Sequence, residues 1–363
     1  MNCFKKGNPH MFKQNKSRHI RVLTALAGCV VLLVSMLLSS SSALASPQGS
    51  HSASRTGASS PLKLVKESNT RDCPALPANF NPATASDQEI SHYHLSPRPK
   101  SGPARAHWIQ VHQHIRRFVC THFVGQGNVN SPLDSCIPPP GTTCFLNWSG
   151  YYAGDGSQPG FNEVTGSWTV PEMASSPSDS QYAIWVGLGG RYGDNLWQAG
   201  TAWTPSQGYY AWIEAVGANG TPGPVYITSV KHNDPVTVTV SFYSGGTSYE
   251  IIDNGTLYGG SAPSGFQSGN LTADWIDERP ACKTGFYKLA DFRYSGWTSA
   301  YATPNRSGAG AESIGSLTHT RAWIANSNTD NTRLAWADRL GSNGSGNDNF
   351  LDHWQENGSS TCG

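Results

Sequence analysis

VTVTVSFY, residues 236–243, alternates valine with threonine or serine and closes on two aromatics. Successive strand side chains point to opposite faces, so this pattern predicts a strand with one buried and one polar face. Working outward, VTGSWTVP (164–171), YAIWVGLGG (182–190), YYAWIEAV (209–216) and YEIID (249–253) also alternate or run apolar, and Gly, Pro, Asn and Asp turns separate them. No helix of normal length is expected after residue 144. Strands spaced this way without intervening helices predict an all-β fold, a sandwich of two antiparallel sheets of the jelly-roll or lectin-like kind.

Charge is distributed unevenly along the 363 residues, although the whole chain is only +1. Residues 1–45 hold six Lys or Arg and no acid, residues 46–143 nine against five, and residues 144–363 ten against nineteen. The acidic body argues against nucleic acid as a partner. In the first part a basic stretch precedes the apolar run Val22–Leu38, and Ala43-Leu44-Ala45 follows. That arrangement predicts a secretory signal peptide over 1–45, removed on export, leaving a secreted chain with no membrane segment.

Residues 46–143 are expected to be a propeptide and linker. The stretch 46–106 is rich in Ser, Pro, Ala and Gly and reads as flexible. Trp108, Val111, Ile115 and Phe118 recur at helical spacing, which predicts an amphipathic helix over 107–123. Seven histidines fall in this region (His51, His92, His94, His107, His112, His114 and His122), and solvated positions on a helix face are a simpler reading than a metal site. A basic, His-rich segment beside an acidic body should dock by charge complementarity, covering the body near neutrality and releasing in acid. Of the cysteines, Cys73, Cys120, Cys136, Cys144, Cys282 and Cys362 remain after the leader; fifteen connectivities are open, and Cys282 with Cys362 is one expected pairing. Sequons stand at Asn147, Asn254 and Asn270.

The body, 144–363, lacks a G-x-S-x-G elbow and an H-E-x-x-H helix, and its three histidines are isolated. Carboxylates and amides are therefore the candidates for chemistry. In TADWIDERP, residues 272–280, strand alternation puts Asp274, Ile276 and Glu278 on one face and Ala273, Trp275 and Asp277 on the other. Glu278 then stands at a strand end, where apolar surroundings would raise its pKa and fit it for general acid–base work. An ordinary solvated acid paired with Arg279 is the plainer alternative. In DNLWQAG, residues 194–200, Gln198 offers an amide that can donate to an oxyanion and accept from a water, or can simply satisfy backbone groups.

Residues 146–340 resemble the glutamic peptidases, or eqolisins, and their bacterial branch more than the fungal one. The resemblance is carried in order by NWSGYY (147–152), FNEVTGSWTVP (161–171), AIWVGLGG (183–190), LWQAGT (196–201), YAWIEAV (210–216), IIDNGT (251–256), ADWIDERP (273–280) and LADF (289–292). It implies a catalytic dyad of Gln198 and Glu278, with Trp185 and Glu214 lining the groove. It implies a secreted, acid-active endopeptidase made with a propeptide, needing no metal or cofactor and acting on polypeptides; a monomer, with residues 46–143 as its intramolecular inhibitor, is the accompanying expectation. Trp148, Trp197 and Trp212 join Trp185 as aromatic groups expected near the groove. Departures from the pattern are Asp274 for a glutamate, Asp277 for an aliphatic residue, Gly189 for an aspartate and Ile213 for a tyrosine. The rival reading is a secreted carbohydrate-binding or glycoside-hydrolysing sandwich. One strand would set Asp274 and Glu278 roughly 13 Å apart, too far for either usual glycosidase geometry, which leaves Glu214 as the only better partner.

Overall fold

The alternating stretch forms the strand Pro235–Tyr243, in which Val236, Val238 and Val240 are at most 1% exposed. Thr237, Thr239 and Ser241 turn to the other face, and each buried valine stabilises by about 1.5–3 kcal/mol. The computed structural model describes residues 76–120, 142–157, 159–217, 223–243, 246–262, 266–344 and 346–362. All lie in the compact unit Ser59–Gly363. The signal peptide, residues 46–75, Cys73, Cys136 and the end of the expected helix fall outside the described residues. Among the described residues no helix is long and apolar enough to cross a membrane.

The principal strands, in chain order, are β1 (Arg117–Cys120), β2 (Trp148–Ala153), β3 (Phe161–Thr169), β4 (Ser180–Leu188) and β5 (Leu196–Thr204). They continue as β6 (Gly208–Val216), β7 (Val225–Ser229), β8 (Pro235–Tyr243), β9 (Gly246–Asp253) and β10 (Thr256–Ser261). The last are β11 (Ala273–Glu278), β12 (Tyr294–Pro304), β13 (His319–Ala325), β14 (Arg333–Ala337) and β15 (Phe350–Trp354). One layer has the hydrogen-bonded order β7-β6-β5-β4-β11-β2-β13. The other has the order β10-β9-β8-β3-β12-β15-β14. Trp168, Tyr182, Trp197, Val238, Tyr249, Trp275, Trp297 and Phe350 interdigitate between the layers.

The chain is mostly β, as expected, but the layers are not two separate antiparallel sheets. Strand β13 pairs with β2 on one side and β14 on the other, so one sheet folds over and faces itself. Among the described residues three pairings are parallel: β1 with β10, the short strand Thr143–Phe145 with β13, and Lys288–Leu289 with β4. Such long-range pairings leave no local trace in hydropathy. Cys282 and Cys362 form a disulfide, as expected.

The region before the body departs from the sequence reading. Residues 76–106 are not a flexible stretch throughout. Helix α1 (Asp87–His92) is opened by a capping box in which Ser86 and Glu89 satisfy each other's backbone N–H groups. Helix α2 (Gly102–Gln113) starts with a proline in its first turn and stops at Gln113, so Phe118 lies in β1 and not on a longer helix. The free edge of β10 offers β1 a ladder of partners, and tertiary pairing overrides the helical spacing. Ile90, Leu95 and Trp108 pack with Ile252 and Leu257 on the outer side of β9 and β10.

Candidate functional site

Strands β5, β4, β11 and β2 sit at the middle of the first layer, covered on both faces. Their inward side chains join the interlayer core. Their outward ones, with Tyr210 and Trp212 of the neighbouring β6, form a second cluster that includes Trp148, Tyr152, Trp185, Leu196 and Ile276. Alternation places Gln198, Glu214, Asp274 and Glu278 on that same outward face. Register aligns Asp274, Gly187, Gln198 and Glu214 in one row across four strands. Glu278 lies four residues further along β11, opposite Ala183 and Trp148.

Trp185 spans this offset. Its ring lies over Gly187, where a Cβ would fall 2.8 Å from Cζ3, and its indole N–H donates to Glu278 Oε2 at 2.7 Å. The backbone beside it is equally close: a Cβ on Gly200 would meet the Ile184 carbonyl oxygen at 2.0 Å. Asn147 Nδ2 donates to the other Glu278 oxygen at 3.1 Å. Trp148 crosses Trp185 edge-on with ring centroids 5.0 Å apart.

Glu278 is 8% exposed, and burial pushes its carboxyl up to about 7, although the Trp185 and Asn147 donors favour the charged form. Glu214 goes up to about 8 through burial first and the charge of Glu278 second. Gln198 donates from Nε2 to Glu214 Oε2 at 2.8 Å, while its own carbonyl oxygen is buried without a partner. Glu214 thus fixes the amide and leaves one of its hydrogens and its carbonyl free. Among the described residues no hydrogen bond joins Gln198 directly to Glu278. They are linked through the aromatic floor and through the electrostatic contact of Glu214 with Glu278.

Five of the six residues expected at the site besides Gln198 itself, namely Glu278, Glu214, Trp185, Trp148 and Trp212, share its face. Trp197 does not belong there. As the neighbour of an outward Gln198 it points between the layers and donates to the Ser248 carbonyl at 3.0 Å. The pairing of Glu278 with Arg279 is also absent: Arg279 is buried and donates to the carbonyls of Tyr287, Asn326 and Ser359. Asp277 faces the opposite way, as alternation requires, and accepts from Tyr182, Ser295 and Trp297. Asn147 is a site residue that the sequence reading does not single out. Its sequon points to an exposed position, yet this side chain is fully buried against Glu278. Its place at the head of the NWSGYY block, in register with the end of β11, is the available signal. Asn270 is 5% exposed, so of the sequon asparagines Asn147, Asn254 and Asn270 only Asn254 has an exposed side chain.

The profile of the Peptidase A4 family matches residues 146–342. No curated protein matches the sequence. Among solved structures, scytalido-glutamic peptidase with a transition state analog inhibitor is similar at TM-score 0.46 and 18% identity, over 58% of this chain and 98% of that one. SCP-B, a member of the eqolisin family solved with the tripeptide Ala-Ile-His, is similar at TM-score 0.44 and 16% identity, over 58% and 98% of the two chains. With the family profile covering more than half of its length, the chain belongs to the Peptidase A4 family, the eqolisins, and is a glutamic peptidase.

Proposed function

We propose that the body is a secreted endopeptidase in which Glu278 and Gln198 act on one water molecule. The observation that carries this reading is a buried carboxyl raised to about 7, facing the same aromatic floor as an amide with an unpartnered carbonyl. Glu278 takes a proton from the water as it attacks the scissile carbonyl, then passes that proton to the leaving amine. Gln198 accepts from the water through Oε1 and donates its remaining N–H to the tetrahedral oxyanion. No acyl-enzyme forms, because water is the nucleophile. The buried carboxyls favour an acid environment, whereas the base must be ionised. With Glu278 at about 7, roughly one molecule in ten carries the base at pH 6 and one in a hundred at pH 5. The base is gained as pH rises toward 7, while the body loses the stabilisation of its protonated buried carboxyls over the same range, so the optimum falls between the two, in mild acid.

Digestion of a denatured protein at about pH 5 tests this reading, in the presence of a chelator and an inhibitor of aspartic peptidases. Cleavage unaffected by either agent is expected. Binding to insoluble polysaccharide with no cleavage would favour the sugar-directed alternative.

Residues 46–143 are proposed to be removed on maturation, with docking that weakens in acid. The support is the contact made by residues 76–120, which lies on the outer face of β3, β8 and β9 and not over Gln198 and Glu278. There Ser96 donates through N–H and Oγ to Glu250, and His112 Nε2 stands 3.4 Å from Glu250 Oε2. His107 bridges Ser167 and Ser299 at 3.1 and 3.2 Å. Burial, then the neighbouring His112, pushes His107 down to about 4, against a smaller opposing pull from Asp348. A group held neutral when docked contributes its stability above its free pKa and loses it as pH falls. Between about pH 6.5 and 4, docking should weaken by up to tenfold per pH unit. Precursor carrying His107→Gln should mature with a flatter pH response over that range. A wild-type precursor that stays intact at low pH, or a variant that matures like wild type, would refute the device.

A further inference from the structure

The turn 189–195 joins β4, which carries Trp185, to β5, which carries Gln198. Arg191 stands in this turn, half-buried among three rings. Its guanidinium carbon is 4.9 Å from the centroid of Phe145, 5.5 Å from Tyr152 and 5.3 Å from Tyr192. Phe145 and Tyr152 belong to the same cluster as Trp148 and Trp185, so the cage is continuous with the floor under Glu278. Cation–π attraction to three rings holds the planar group in place.

No carboxylate among the described residues forms a salt bridge with this charge, although the buried Asp274 feels it at longer range. Arg191 forms no ion pair or hydrogen bond among them, and its Nε is buried without a partner. The acids around it are engaged otherwise. Asp194 accepts from the backbone N–H groups of Gly190 at 2.9 Å and Leu271 at 3.2 Å, which pins the turn. Asp155 is bonded to Ser157. Asp274 is buried beside Thr272, and burial pushes its carboxyl well up, toward the neutral form, against smaller opposing pulls from Thr272 and the Arg191 charge. A fixed, unpaired guanidinium at the edge of a peptide-binding face presents a fork suited to two carboxylate oxygens.

We propose that Arg191 is a specificity residue that binds a carboxylate of the peptide substrate, from an aspartate or glutamate side chain or from the chain terminus. The inference rests on the peptidase reading and assigns one of its subsites. Arg191 lies at the Asp274 end of the face, over the Tyr152 ring of the row that holds Gln198 and away from Glu278, so the recognised group sits on the Gln198 side of the scissile bond.

The test uses the mature enzyme and a neutral parent peptide, with Asn or Gln replaced by Asp or Glu at each position in turn, and with free or amidated C-termini. The quantity read is the acid-to-neutral ratio of kcat/KM within each protein. One position, or the free terminus, should give a ratio of about ten or more in wild type, since charge-assisted bidentate pairs are strong. The ratio should grow as pH rises through the substrate carboxyl's own pKa near 4. It should fall to about one in Arg191→Gln and to an intermediate value in Arg191→Lys, which keeps the charge but not the fork. A preference only with the free terminus identifies the terminal carboxylate as the ligand. Equal ratios in wild type and variants, or no acidic preference at any position, would overturn the proposal. Failure to cleave even the neutral parent would instead refute the peptidase reading itself.

Discussion

Glu278→Gln should lower kcat/KM on a peptide substrate by about 10⁴-fold, the upper range for loss of a general base, while leaving the folded body intact. The amide matches the carboxyl in shape and keeps an oxygen for the Trp185 indole N–H, which donates at 2.7 Å in the native protein, and its new NH2 can donate to the unpartnered Asn147 Oδ1 once that side chain turns over. Burial already favours the neutral carboxyl, as its rise to about 7 shows, so a neutral replacement introduces no new desolvation. At neutral pH the variant should be at least as stable as wild type. That separates a chemical role from a structural one. Gln198→Ala should cost on the order of 100- to 1,000-fold, the usual effect of removing one oxyanion donor. The double variant should be little worse than Glu278→Gln alone, because groups that act on one water are not additive. Initial rates and thermal melts on the same preparations check all three statements.

The second large effect is an inverted dependence of stability on pH. In the body, burial raises Glu278 to about 7, Glu214 to about 8 and Asp277 to about 6, and pushes Asp274 and Asp352 well up. Asp277 and Asp352 are neighbours between the layers, and the one hydroxyl hydrogen of Ser149, 2.8 and 2.7 Å from the two Asp352 oxygens, is shared between them, so burial and mutual repulsion keep a proton on the pair through the acid range. Each group has a folded pKa above its unfolded value near 4. The folded chain therefore binds more protons than the unfolded one between pH 4 and 8. The stabilisation is complete below about pH 4 and is lost as pH rises through 6 to 8. A tenfold gain in a carboxyl's proton affinity on folding corresponds to about 1.4 kcal/mol, and a realised total of only about 5 kcal/mol would be a large part of typical stability. On that basis Tm should fall by roughly 10–20 °C from pH 4 to pH 8. Calorimetry of the mature body across this interval is the check, and a Tm that rose with pH would contradict the assignment of protonated buried carboxyls.

Where local alternation meets a half-buried strand, the sequence is directly readable. Residues 236–243 and the two faces of 273–278 behave as their pattern requires, which sets Glu278 on one face with Asp274, while Gln198 and Glu214 join that face through strand register. The central strands β4 and β5 are covered on both sides, so their apolar runs do not reveal which residue points where. Trp197 is misplaced by the sequence reading for that reason, although the outward assignment of its neighbour Gln198 already implies the answer. Helical spacing over 107–123 is overridden at Phe118 by an open sheet edge. The Ser86–Glu89 cap, by contrast, is a local signal within a composition that otherwise suggests flexibility. Closure of the two layers through β13 and β14 rests on pairings between distant segments, which no window of sequence contains. Asn147 is legible only from register, since its partner is 131 residues away in the chain.

Gln198 and Glu278 should share a single solvent molecule. A crystal structure of the mature body at about pH 5 measures this directly. The account predicts one ordered water within about 2.6–3.2 Å of both the Glu278 carboxyl and the Gln198 amide, displaced by the hydroxyl of a bound transition-state mimic. Separate waters on the two side chains, with the mimic's hydroxyl out of reach of either, would contradict it.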